Sequence, residues 1–309
     1  MLEITDSLLQ PIPLRVSTTD DPAKLLRFTV EAFGMGLVAL ATLVEIRGGA
    51  ARALGSHVVV ASDGRYCGYV SGGCVEAAVA AEALLAMAEG CDRIVKFGEG
   101  SPFFDIALPC GGGISVAIHL LRDPQPLQMV LDRLNARRAV GLSYLPRQQR
   151  VRLTDAPGRS GWTGEEFVSV YRPQTLIVIS GQTCEAQAIA EVAEASSYDV
   201  VRIPAPGRNL SDPWTIDPFT AVILLHHDLD AEAAALDEAL KSPAFYIGAL
   251  GSSRTHKRRV ERLIERCFEP QDIRRLKAPI GIFGPARDSA SLALSVLADV
   301  AATRLAVFG

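Results

Sequence analysis

The chain has 309 residues, more than the ~100–200 of a single domain, so two hydrophobic cores are expected. Hydrophobic residues make up 49% and charged residues 21%, which favours packed globular structure over disorder. A formal net charge of −4 excludes the broad basic surface on which non-specific nucleic-acid binding relies.

Residues 1–21 contain no cationic stretch followed by an apolar core, so no secretory signal is expected. The first half, from Lys24 to Tyr171, mixes strands with two helices. Residues 37–46 and 56–61 read as strands. Ser62-Asp63-Gly64-Arg65 reads as a hairpin turn, because Asp-Gly tolerates positive φ, and residues 66–70 return as the partner strand. The bend Ser71-Gly72-Gly73-Cys74 then precedes an Ala-, Leu- and Glu-rich stretch with helical spacing that ends at Gly90 as its C-cap. After a strand at 93–97 comes a second glycine-rich bend, Leu108-Pro109-Cys110-Gly111-Gly112-Gly113, leading into an apolar strand at 114–121. A helix at 127–138 and strands at 139–145, 151–154 and 167–171 complete this half, with 155–164 as a loop.

The domain boundary falls at Arg172-Pro173-Gln174, giving a first domain of residues 1–171 and a second of 172–309. The second half alternates strand and helix: strands at 175–180, 199–203, 220–225 and 245–250, helices at 182–195, 231–240, 253–267 and 289–305. Apolar strands separated by amphipathic helices are the signature of a parallel sheet. The expected fold class is α/β: a mixed α+β N-terminal domain followed by a Rossmann-like parallel-sheet C-terminal domain. No apolar run reaches the ~18 residues needed to span a bilayer. Cys67, Cys74, Cys91, Cys110, Cys184 and Cys267 form neither C-x-x-C nor a structural zinc spacing. Reduced thiols and a cytoplasmic location are expected.

Five places are candidates for chemistry. At Ser71-Gly72-Gly73-Cys74-Val75-Glu76, a strand-to-helix turn exposes main-chain N–H groups at the positive end of a helix dipole, which favours an anion. Cys74 is expected in the first helical turn, where the same field favours thiolate; a packing turn with a small buried cysteine is the alternative. At Pro109-Cys110-Gly111-Gly112-Gly113, three successive glycines imply a close approach of backbone to a ligand or to another chain segment. Residues 175–188 stand where a dinucleotide fold has its first strand and turn, yet they offer Gly181 alone, and Ile203-Pro204-Ala205-Pro206 brings no carboxylate to the second strand's end. Tight NAD binding is therefore disfavoured. At Gly251-Ser252-Ser253-Arg254-Thr255-His256-Lys257-Arg258-Arg259, four cations and a histidine open a helix against its dipole, and a phosphate or pyrophosphate would remove that penalty; a solvated basic face is the alternative. Finally, Leu225-His226-His227-Asp228 ends a strand at the edge where such sheets bind ligands, but adjacent side chains on a strand diverge, which argues against a dedicated metal site. Metal ligands stay unassigned.

Together these bends resemble the xanthine dehydrogenase accessory factor family (XdhC/CoxI). The first half is similar through LATLVEIRGGAAR (40–52), SDGRYCGYVSGGCVEAAV (62–79) and LPCGGGISV (108–116). The second half is similar through LHHD (225–228), SPAFYIGALGSSRTHKRRVERL (242–263) and APIGIFGPARDSASLALSVLADVAA (278–302). The resemblance implies an accessory protein, not an enzyme. It would carry molybdenum cofactor (molybdopterin) transiently, support its sulfuration, and insert it into a xanthine dehydrogenase-type molybdenum hydroxylase. The implied partners are the hydroxylase catalytic subunit and a cysteine desulfurase-type sulfur donor. Carried over as cofactor-binding residues are Gly72, Gly73, Cys74, Glu76, Cys110, Gly111, Gly112, Gly251, Ser252, Arg254 and His256. Where the family shows Gly-Ala-Gly-His and Val-Asp-Pro-Arg, this chain has Gly181-Gln182-Thr183-Cys184 and Ile203-Pro204-Ala205-Pro206, which implies an altered second-domain ligand.

Two alternatives stand beside this reading: an NAD(P)-dependent oxidoreductase, and a protein-interaction module with decayed ligand sites. No catalytic residue is assigned. Self-association as a homodimer is open, with the apolar end at 305–309 as one contributor.

Overall fold

The computed structural model describes residues 11–99, 101, 111–181, 183–203 and 216–309. The chain divides into two compact units, Met1–Arg172 and Pro173–Gly309.

The first unit runs β1 (Leu14–Ser17), α1 (Pro22–Phe33), β2 (Val38–Arg47), β3 (His57–Ala61), β4 (Arg65–Gly68), α2 (Glu76–Glu89), β5 (Arg93–Gly98), β6 (Gly113–Leu120), α3 (Gln125–Asn135), β7 (Val140–Leu145), β8 (Arg150–Thr154), β9 (Gly161–Thr163) and β10 (Glu166–Tyr171). Six strands form one sheet in the order β1-β4-β3-β2-β6-β5, antiparallel except for the β1–β4 pair. A second, antiparallel sheet runs β8-β7-β10-β9. Strand β2 is buried from Val38 to Val44 because both of its faces are covered there. Ala39, Ala41 and Leu43 pack with Val79 and Ala83 of α2, whereas Val38, Leu40 and Val44 share a core with α1, α3 and Phe167 of the second sheet.

Helix α1 is a third helix where two were expected. Its start is encoded by Asp21-Pro22: the Asp21 carboxylate accepts the Ala23 and Lys24 amides, and proline needs no helical partner at the first position. Strand β9 lies inside the stretch expected to be loop and pairs with β10 through Trp162 and Phe167.

The second unit runs β11 (Leu176–Ser180), α4 (Cys184–Ala195), β12 (Asp199–Ile203), β13 (Thr220–Leu224), α5 (Leu229–Lys241), β14 (Tyr246–Ala249), α6 (Ser253–Glu265), α7 (Pro270–Ile273), β15 (Leu276–Lys277) and α8 (Ser289–Phe308). Its five strands are all parallel, in the order β12-β11-β13-β14-β15. Helices α5 and α6 cover one face through Leu236, Leu240 and Leu263, and α4 and α8 cover the other through Ile189, Val296 and Val300. This is the Rossmann-like α/β sheet expected of the second half. The order in which strands are added reverses between β11 and β13, so the crevice where such sheets bind ligands lies at the carboxyl ends of these strands.

Helix α8 is long and apolar enough, by length and composition, to cross a membrane. Its inner face is a core face, with Ala293, Val296, Leu297 and Val300 packed on the sheet. It also carries a buried carboxylate, Asp299, which accepts the Tyr246 hydroxyl at 2.7 Å and pairs with Lys277.

Candidate functional site

The first glycine bend is built around the protein's own anion. Glu76 opens α2 and is sealed from solvent. Its Oε1 accepts the amides of Val70, Ser71 and Gly72 at 3.0, 2.8 and 3.2 Å. The Ser71 hydroxyl lies 3.0 and 2.9 Å from the two carboxylate oxygens and itself accepts the Cys74 and Val75 amides at 3.1 Å. Burial pushes the Glu76 pKa up, but the Ser71 and Val70 amides outweigh it and hold the carboxyl below the ordinary glutamate range. Glu76 and the amides of Gly72 and Cys74 are thus occupied internally. Glu76 is a positioning residue.

Gly73 and Cys74 remain open. Gly73 has φ +120°, and a Cβ there would meet nothing within 4 Å. The Cys74 thiol is exposed and unbonded to another cysteine. Cys74 lies two residues ahead of α2 rather than in its first turn, because Val75 is the N-cap and the Ser71 hydroxyl takes over the capping.

The second bend returns to the same end of the six-stranded sheet, where Gly113 of β6 pairs with Arg47 of β2 and Gly98 of β5. A Cβ on Gly112 would lie 2.4 Å from the Arg47 carbonyl oxygen and 2.8 Å from that of Gly49. Gly112 is therefore demanded by packing of chain on chain, and it is buried. Gly111 is exposed at φ +69° with open space before it. Cys110 lies outside the described residues.

Both bends abut one loop: Gly48 approaches Gly112, and a Cβ added to Gly72 would lie 3.3 Å from that of Ala51. Arg52, in the same loop, pairs with Asp20 at 2.6 Å and stacks over Tyr69, while Arg15 lies over the same ring at 4.5 Å. A free thiol, outward-facing glycine backbone and two guanidinium groups thus gather at one sheet end. That chemistry suits an anionic ligand with a thiophilic centre.

In the second unit the strand ends frame a cleft of 780 Å³ lined by Glu185, His227, Gly251, Ser252, Phe283 and Arg287 among others. Gly251 has φ +133°, and Ser252 caps α6 by accepting the Thr255 amide at 3.2 Å. Arg254 and His256 do not line the cleft. His256 Nδ1 is buried without a hydrogen-bond partner among the described residues, and burial, reinforced by Arg259, pushes its pKa down.

Arg259 is not a surface cation. It is sealed with Glu232 in a two-point ion pair, and its Nη2 donates to the Leu250 carbonyl at 2.9 Å, tying α6 to α5 and to the end of β14. Of the four cations expected to meet a phosphate, this one belongs to the core. The adjacent histidines diverge: the Ser180 hydroxyl and His226 Nε2 are hydrogen bonded at 2.8 Å, whereas His227 faces the cleft. Among the described residues no three metal-ligating side chains cluster. Glu185, Phe283 and Arg287 were missed as cleft residues because Ile282-Phe283-Gly284-Pro285 has no periodicity, and its place beside Gly251 depends on the fold.

Comparison with known proteins covers most of the chain. The family described as XdhC Rossmann domain matches residues 177–300, and the XdhC and CoxI family matches residues 36–98. The molybdenum cofactor insertion chaperone PaoD of Escherichia coli (strain K12) is 50% identical over 298 residues, covering 95% of this chain and 92% of that protein. The uncharacterized protein YqeB of the same organism is 26% identical over 265 residues, covering 85% of this chain and 42% of that protein. A crystal structure of a xanthine dehydrogenase from Bacillus halodurans matches with a TM-score of 0.72 at 20% identity, covering 93% of this chain and 96% of that one. At that identity the likeness concerns the fold.

Proposed function

The chain belongs to the XdhC and CoxI family, and from that premise we propose that it is an accessory protein that holds molybdenum cofactor and inserts it into a molybdenum hydroxylase. What supports this reading is that both glycine bends abut the Gly48–Ala51 loop, through Gly112 and Gly72, at one sheet end, with Cys74 exposed and open space before Gly73 and Gly111.

The cargo is an anionic pterin with a thiophilic metal. The Cys74 thiol offers a soft donor for molybdenum, and Cys110 is proposed as the second thiol. Gly73, Gly111 and the guanidinium groups of Arg52 and Arg15 offer donors to phosphate. Gly72, Glu76 and Gly112 hold the bends in shape. In the second unit, Gly251 and Ser252 are proposed to meet an anionic group in their cleft, with Arg254 and His256 on the same helix start. Gly181 alone at the first corner leaves NAD without its glycine fingerprint. The proposed partners are the hydroxylase catalytic subunit, a cysteine desulfurase-type sulfur donor and a second copy of the chain, in the cytoplasm, with domains divided at 171/172.

Gel filtration of the full chain with molybdenum cofactor, followed by metal analysis of the protein peak, tests this. Wild type should retain molybdenum, and a Cys74→Ser/Cys110→Ser variant should lose most of it. Equal retention by both would remove the thiols from the site, and no retention by wild type would end the reading.

A further inference from the structure

A separate groove of 550 Å³ lies in the first unit, lined by His119 of β6, Arg122, Met129 of α3, Gln149, Arg150 and Arg152 among others. Its volume falls in the range of small-molecule sites, roughly 300–1,000 Å³. His119 sits at the opposite end of β6 from Gly113, away from the glycine bends.

The floor of this groove is an oriented imidazole. Asp92, nearly sealed from solvent, accepts four donors: His119 Nδ1 at 2.6 Å, the Tyr144 hydroxyl at 3.0 Å, the Leu120 amide at 3.0 Å and Arg122 Nη1 at 2.9 Å. Burial pushes the Asp92 pKa up, but these donors, His119 foremost, hold it below the ordinary aspartate range. Asp92 is therefore a carboxylate, and His119 Nδ1 carries a proton directed at it. That fixes the tautomer and leaves Nε2 as the free edge. His119 is 4% exposed, and among the described residues its Nε2 has no partner. An oriented imidazole edge without a protein partner, on the wall of an open groove, is available to a ligand.

The rim supplies charge. Arg152 is paired with Glu166 at 2.6 Å, and Arg122 is engaged by Asp92 and by Gln149 at 2.5 Å. Arg150 is exposed and has no partner among the described residues. Asp123, the one carboxylate lining the groove, accepts the Gln125 amide at 2.9 Å. The balance is cationic around a fixed imidazole.

We propose that this groove binds a small oxyanion-bearing ligand, a phosphate ester or a carboxylic acid, with Arg150 meeting the anion and His119 Nε2 meeting a polar group beside it. The site does not depend on the cofactor-carrying reading. Its test uses the full chain with ¹⁵N-labelled histidine, titrated at low salt with inorganic pyrophosphate and, separately, with citrate. The His119 resonance should move and saturate with at least one probe; whichever binds more tightly identifies phosphate or carboxylate as the preferred group. Arg150→Glu, on an exposed position, should weaken that binding by about tenfold or more, the value of one lost charged hydrogen bond. His119→Gln, which keeps a donor toward Asp92 but lacks the imidazole edge, should weaken it as well. A His119 resonance unmoved by millimolar amounts of either probe would overturn the proposal. So would an Arg150→Glu protein that binds as tightly as wild type.

Discussion

The Glu76 carboxylate takes the Ser71 amide at 2.8 Å and the Ser71 hydroxyl through both of its oxygens. A buried glutamate thus does at this bend what a bound phosphate does in many glycine-rich loops: it gathers main-chain N–H groups around a negative charge. The bend is already shaped before any ligand arrives, and Gly73 and Cys74 are held outward.

Glu76→Gln should destabilise the first unit by about 1–3 kcal/mol, because an amide cannot accept all the donors that the carboxylate does. The pH dependence has a definite sign. The folded pKa of Glu76 is lowered, so its contribution is present above the ordinary glutamate pKa of about 4.3 and is lost as pH falls through the lower folded value. Urea unfolding at neutral pH and in acid should show the variant's deficit shrinking in acid.

His57 is fully enclosed, hydrogen bonded to Thr42 at 3.0 Å and to the Tyr171 hydroxyl at 2.6 Å, and burial pushes its pKa down to about 4. The unfolded chain takes up this proton first, near pH 6.5. Stability should therefore fall as pH drops from about 6.5 towards 4, by up to about 3 kcal/mol. His57→Gln should flatten that part of the profile, and an unchanged slope would show that other groups cause it.

Arg259→Met leaves Glu232 as an unpaired charge in the core and should cost about 3–5 kcal/mol. Glu232→Leu combined with Arg259→Met removes both charges and should recover most of that loss. Chemical denaturation of the two single variants and the double variant measures the coupling directly.

Gly112→Ala should destabilise more than Gly111→Ala. The first forces a methyl to within 2.4 Å of the Arg47 carbonyl, whereas the second meets no atom and incurs only the strain of φ +69°, roughly 1–2 kcal/mol. Equal shifts in urea midpoint would mean that chain packing at Gly112 is looser than its geometry indicates.

The parallel sheet of the second unit was legible in the chain itself. Short apolar strands such as 175–180 and 220–225 are covered on both faces, so they read as unbroken hydrophobic runs between amphipathic helices. Helix α1 is equally written in the chain, in Asp21-Pro22 and the spacing of Leu25, Leu26, Thr29 and Ala32. Both glycine bends were visible because positive φ restricts the choice of residue.

What the linear chain determined by itself is local: strand and helix periods, caps, bends, and blocks long enough to declare the family. Tertiary structure alone decided which of those features face outward. Glu76 filling its own bend, Gly112 pressed against Arg47, Arg259 drawn into the core by Glu232, and His119 held by Asp92 are all outcomes of contacts that the fold must first create. A donor or cation is available to a ligand only if no internal partner claims it. Those partners lie up to 65 residues apart here (Gly112 against Arg47), beyond the reach of any local pattern.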